Sequence, residues 1–206
     1  MKDRIRILLV FFCCFLLTSC LTPPHSFIPQ KTEMVYELQQ EKDSAFLMQV
    51  RSAGQEEFAS FHLREQALFL VRGTPEGREE AQFLEQPLTT GKSWKWSTGT
   101  ATVLAIEPVQ VPMGSFQAVP VEYQRNAQFQ GKMVSITERI WFVRHLGWIR
   151  IEQKIDGKLF ALQELIRCDP PSENSSVSGK GLDYFPLDLH RSWTFEKKSE
   201  FEAGKE

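Results

Sequence analysis

The sequence predicts an all-β domain of antiparallel strands, with little helix outside its first twenty residues. Three observations carry this. From Thr32 to Arg167, apolar and polar residues alternate in short runs rich in Val, Ile, Phe and Trp, the two-residue period of a half-buried strand. Turn residues punctuate these runs at short spacing, and no sustained 3.6-residue period competes with them. The 206 residues include sixteen Phe, five Trp and three Tyr, side chains that suit a pleated surface packed on one face.

Met34 to Leu38, Ala45 to Arg51, Phe58 to Leu63 and Ala67 to Arg72 read as four successive strands of a meander, with Ser52-Ala53-Gly54-Gln55 turning between the second and third. Gly73 to Gln82 is polar and reads as a connection holding a short helical turn. A repeat boundary falls near residue 83, and a second set of strands begins near Trp94, running through Ala101 to Ile106 and Phe116 to Phe129. In Val111-Pro112-Met113-Gly114, proline presets φ and glycine relieves crowding where the chain reverses. Val134 to Phe142 alternates cleanly, and Arg144-His145-Leu146-Gly147 turns into Trp148 to Ile155. Asp156-Gly157 then separates two alternating runs, a strong hairpin signal because both turn positions need positive φ. Leu159 to Ile166 is the returning strand. The β domain thus spans residues 32 to 167. Residues 168 to 183, rich in Ser, Gly and Pro, read as a flexible linker. Residues 184 to 206 have the length of one strand, to pair with this sheet or with another chain.

The N-terminus carries a different pattern. Lys2, Arg4 and Arg6 precede an apolar run from Ile7 to Leu17, the n-region and h-region of a secretory signal covering residues 1 to 19. About 20 apolar residues are needed to span a bilayer, so this run is too short for a permanent span. It ends in Leu17-Thr18-Ser19-Cys20, which resembles the lipobox of bacterial lipoproteins. The resemblance implies diacylglycerol on the Cys20 sulfur, cleavage before Cys20, and acylation of the new amino group. It also bears on placement, because Leu21 stands where inner-membrane retention typically uses Asp. An outer-membrane position, facing the periplasm or the surface, is therefore expected over the inner membrane. Residues 20 to 31 then comprise the lipidated Cys and a tether with three prolines.

Three places share Pro, six residues, then an aromatic: Pro29 to Tyr36, Pro87 to Trp94 and Pro186 to Trp193. Pro87-Leu88-x-x-Gly91-x-x-Trp94-x-Trp96, with Val111-Pro112-x-Gly114-x-Phe116, Glu138-Arg139-x-Trp141-Phe142 and Leu146-Gly147-x-Ile149, resembles bacterial envelope lipoproteins with repeated Phe-Pro-Leu-x-x-Gly-x-x-Trp units. The likeness runs best over residues 83 to 167. It implies a curled antiparallel sheet, half-barrel-like, without an established enzyme activity. Glu33 and His190 stand where Gly91 stands in the middle unit, a departure from the pattern.

Composition narrows the partners. Loss of residues 1 to 19 removes Lys2, Arg4, Arg6 and Asp3 from 24 basic and 26 acidic side chains, leaving a net charge of -4. Without a basic field to displace phosphate counterions, nucleic acid is excluded as a partner. Cys13 and Cys14 leave with the signal and Cys20 carries lipid, so Cys168 remains alone and no disulfide is expected; it reads as a small buried hydrophobe. Catalytic motifs are missing, and His25, His62, His145 and His190 are scattered. Asp188-x-His190 is the one close carboxylate and imidazole pair, and Glu56-Glu57 and Glu79-Glu80 read as solvated surface. No cofactor or metal is expected. Glu138 and Arg139 should face opposite sides of their strand and pair with neighbouring strands.

The expected function is that of a lipid-anchored envelope lipoprotein, non-catalytic, binding another envelope component through an exposed sheet edge or face. A second reading is a carrier of a hydrophobic ligand such as lipid, held by a groove lined with Trp94, Trp96, Trp141 and Phe142. A third, an envelope hydrolase, would need polar groups converging in a cleft.

Overall fold

The computed structural model describes residues 32–42, 45–74, 77–129, 132–169, 181–187 and 191–199. The signal segment, Cys20, the tether with His25, most of the expected linker, and Asp188 with His190 lie outside the described residues. Every regular element among the described residues is a strand. In chain order these are β1 (Thr32–Lys42), β2 (Ala45–Ser52), β3 (Gln55–Arg64), β4 (Ala67–Thr74), β5 (Gly77–Glu85), β6 (Ser93–Trp96), β7 (Gly99–Val103), β8 (Glu107–Val111), β9 (Gly114–Phe129), β10 (Lys132–Val143), β11 (Gly147–Ile155), β12 (Lys158–Asp169), β13 (Gly181–Leu182), β14 (Phe185–Pro186) and β15 (Ser192–Ser199).

All pairings are antiparallel, and the sheet runs β5-β4-β3-β2-β1-β15-β12-β11-β10-β9-β7-β6, with β8 paired to β9 off this path. Two meanders are therefore joined twice. At one junction the last strand, β15, lies between the first meander and the second, its Trp193 opposite Tyr36 of β1 and Cys168 of β12. At the other, the terminal strands β5 and β6 face each other across a seam bridged by side chains rather than a backbone ladder. There the Trp94 indole N–H donates to the Gln82 carbonyl (3.0 Å), and the Tyr123 hydroxyl donates to the Phe83 carbonyl (2.6 Å). The sheet is thus curled almost into a barrel, as the expected fold class has it.

Hydrophobic alternation decides which face turns inward. Met34, Tyr36 and Leu38 of β1, Phe46, Met48 and Val50 of β2, and Trp193 and Phe195 of β15 are all buried inside the curl. Each such side chain removes apolar area worth roughly 1.5–3 kcal/mol from water. The outer face carries cross-strand ion pairs, among them Arg139 with Glu122 and Lys198 with Glu164 (3.2 Å). Glu138 and Arg139 do face opposite sides: Glu138 is buried inside, where Gln153 of β11 approaches it at 3.5 Å.

Two-residue turns set the register. Ala53 and Gly54 have φ of 48° and 78°, Asp156 and Gly157 of 49° and 77°, the left-handed values that match strand twist. The segment from Gly73 to Gln82, expected as a connection with a helical turn, is instead largely strand β5. Its identity comes from its neighbour: Ala81 pairs with Leu70 and turns inward, followed by Phe83, while Glu80 meets Arg64 and His62 on the outer face. The expected linker is also shorter than 168 to 183, since Cys168 and Asp169 end β12 and Leu182 of β13 is buried. Of the two pairings open to the C-terminal segment, β15 takes the one within this sheet.

Gly99 marks the closest backbone approach. A Cβ there would collide with the Gln124 carbonyl of β9 and meet the Arg125 Cβ at 2.9 Å, atoms held in the ladder and unable to retreat cheaply. Gly99→Ala is expected to cost on the order of 1–3 kcal/mol, read as a lower urea midpoint with an unchanged slope.

Candidate functional site

Two places in this architecture offer something to bind: the seam and the interior of the curl. At the seam, β5 is paired on one side only among the described residues. Backbone groups alternate sides along a strand, and the Gln82 carbonyl points across the seam to Trp94, so the N–H and C=O of Glu80 and Arg78 point the same way. β6 is four residues long and meets β5 near Gln82, and among the described residues no strand is laddered to the seam side of Gly77–Ala81.

The interior is packed with rings. Phe185, on the short β13-β14 pair, packs inside the curl, stacked on Trp148 with centroids 4.9 Å apart and tilted against Phe61 at 5.6 Å. Trp148 also stacks on Trp193 at 5.1 Å and meets Tyr36 edge-on at 5.4 Å. Beside them lies a cavity of about 30 Å³, walled by Met34, Met48, Phe61, Trp148 and Phe185, with Tyr36 and Gln163 on its polar side. The Tyr36 hydroxyl donates to Gln163 Oε1 at 3.0 Å.

The four aromatics expected to line a groove are divided between two faces. Trp94 and Trp96 pack on Tyr123 inside, with centroids at 6.5 and 5.0 Å, and Phe142 is fully buried near Phe83. Trp141, next to Phe142 on β10, points to the outer face. There the β8-β9 hairpin covers it, Glu107 Oε1 accepts its indole N–H at 2.7 Å, and the Arg139 and Arg150 guanidinium groups lie over its ring at 5.7 and 5.1 Å. The cavity walls, above all Trp148, Phe185 and Gln163, were not singled out by sequence, because the convergence of β11, β12 and the 181–187 segment is non-local.

Among the described histidines, His62 lies on the outer face of β3 beside Glu80 (3.5 Å), and His145 sits in the turn after β10 with φ of 61°. The fold does not bring them together. Among the described residues there is no group of three metal-ligating side chains, and no helix is long and apolar enough to cross a membrane. Cys168 is a free, half-buried thiol whose pKa burial pushes up, so it is held in its unreactive form.

Burial, and secondarily the nearby Glu138 carboxylate, pushes the Tyr36 and Tyr123 hydroxyls well above the ordinary tyrosine range. A group whose folded pKa is raised contributes stability below its unfolded value, near 10, and loses it as pH rises towards the folded value. Stability is therefore expected to fall above about pH 10, by up to roughly 1.4 kcal/mol per pH unit for each tyrosine. The phenolate absorbance of these two residues should appear together with unfolding, and a Tyr123→Phe variant should shed part of the alkaline loss.

No family model matches the chain, and no curated protein matches it. Among solved structures it is similar to a crystal structure from Bacteroides fragilis, of a protein provisionally described as exported with a YmcC-like fold. The two share 11% identity over 81% of this chain and 92% of that chain, with a TM-score of 0.41.

Proposed function

We propose that this chain is a bacterial envelope lipoprotein, anchored through acyl groups on Cys20 and non-catalytic, which binds an extended segment of another envelope protein along the seam edge of β5. The place of β5 at the end of the strand order carries the reading. Among the described residues β5 ends the sheet path, and the outward backbone N–H and C=O of Arg78 can take up a further strand at little conformational cost. The lipobox-like Leu17-Thr18-Ser19-Cys20 supports the anchor, and Leu21 supports the outer membrane. A tether of about a dozen residues reaches up to roughly 40 Å, enough to let the seam meet a neighbour above the bilayer.

The test uses a photo-crosslinking amino acid at position 80 in living cells, with position 154 on the far side of the sheet as a control. A discrete adduct from position 80 is expected, lost when Arg78→Pro removes one outward N–H. Because that N–H makes no ladder bond, the melting temperature should change little. An adduct that survives Arg78→Pro, or equal adducts from both positions, would refute strand addition at the seam.

A further inference from the structure

The cavity inside the curl has an unusual chemical asymmetry. Its walls are apolar except where Tyr36 and Gln163 face it, and further donors stand in or beside those walls. Trp148 is 2% exposed, and its indole N–H is buried without a hydrogen-bond partner. Gln163 accepts the Tyr36 hydroxyl on its carbonyl oxygen, leaving its amide N–H groups as the donors it can offer a ligand. Directly across the ladder from Gln163, on the same inner face, stands Lys197, itself 9% exposed. A buried donor without a partner is costly, and it points to a ligand that brings acceptor oxygens.

The apolar part of such a ligand has a place to go. As it stands, the cavity has room for about two water molecules, too little for a hydrocarbon chain. One wall, however, is the Phe185 ring, and its segment pairs only with itself, β13 with β14, outside the ladder of the main sheet. Among the described residues its hydrogen bonds and ion pair to the rest are the Asp183 backbone N–H to Gln86 Oε1 (3.1 Å), the His145 N–H to the Asp183 carbonyl (2.6 Å), and the exposed Arg144–Asp183 pair. Withdrawing Phe185 breaks ring contacts but no bond of the main sheet. Met34 and Met48, also in the cavity walls, are unbranched and repack readily. On transfer scales, about eight buried methylenes offset the exposure of Leu182, Phe185 and Leu187.

We propose that the interior of the curl is a binding site for a long-chain fatty acid, its chain taking the space of the Phe185 ring and its carboxylate reaching Trp148 Nε1, Gln163 and Lys197. Phe185 is then a built-in plug that holds the site closed until a chain displaces it. Burial lowers the Lys197 pKa, and an incoming carboxylate would raise it again. This site is independent of strand addition at β5, so failure of one leaves the other standing.

The test titrates the full chain carrying Cys20→Ser with palmitate and with hexadecyltrimethylammonium, a chain of equal length whose head has no acceptor. Saturable palmitate binding is expected, at least tenfold tighter in Phe185→Ala, and at least tenfold weaker in Lys197→Gln. Trp148→Phe should weaken palmitate several-fold while leaving hexadecyltrimethylammonium unaffected. If Phe185→Ala fails to fold, Phe185→Leu takes its place and should tighten binding in the same direction. Absence of saturable palmitate binding in folded wild-type and plug variants would overturn the proposal. So would equal binding of the two amphiphiles, unaltered by Lys197→Gln and Trp148→Phe.

Discussion

Deleting residues 191 to 206 is expected to abolish cooperative unfolding altogether. The deletion removes β15, which pairs with β1 over Thr32 to Glu37 and with β12 over Ala161 to Asp169. It also empties the centre of the core, where Trp193 and Phe195 are fully buried. Loss of a buried Trp or Phe side chain typically costs 3–5 kcal/mol, so these two together cost about 6–10 kcal/mol. That is comparable with the whole net stability of a domain this size, roughly 5–15 kcal/mol, before any ladder bond is counted. Near-UV circular dichroism should be lost and no sigmoidal urea transition should remain. Trp193→Ala alone should cost about 3–5 kcal/mol, because its ring stacks on Trp148 and its indole N–H donates to the Leu146 carbonyl at 2.7 Å. A deletion variant that melts like the full chain would show that the two meanders stand without the strand between them.

Cys20→Ala should have an equally large effect of a different kind, confined to location. Each buried methylene of an acyl chain contributes about 0.8 kcal/mol to membrane attachment, so two or three chains hold the protein on the bilayer essentially permanently. The variant is expected to leave the membrane fraction and to incorporate no labelled fatty acid. Its melting temperature should be unchanged, since β1 begins only at Thr32. Continued labelling of Cys20→Ala would remove the anchor from the account.

Local chemistry was legible in the sequence, and pairing across long separations was not. The turns at Ala53-Gly54 and Asp156-Gly157 could be read because positive φ is a demand on two residues alone. Alternation from Val134 to Phe142 named β10 and put Glu138 and Arg139 on opposite faces. The same rule places Trp141 and Phe142, as sequence neighbours on one strand, on opposite faces; a groove lined by both conflicts with it. β5 escaped notice because Gly77 to Gln82 is polar and glutamate-rich, and it becomes a strand through its partner β4. The place of β15 between the first strand and β12 depends on residues more than 120 positions apart meeting, which no local pattern encodes. For the same reason the meeting of Trp148 with Gln163, and of Gln163 with its ladder partner Lys197, emerges only from the fold.

Amide hydrogen exchange resolved residue by residue, on the isolated protein, tests the central claim most directly: a curl locked at β15 and open at the β5 seam. The β15 amides from Trp193 to Lys197 are expected to exchange among the slowest in the chain, whereas in β5 the amide of Arg78 exchanges fast and those of Glu79 and Ala81 slowly. Uniform protection along β5 would mean the seam is already paired, and fast exchange in β15 would mean the curl is not locked there; either result contradicts the account.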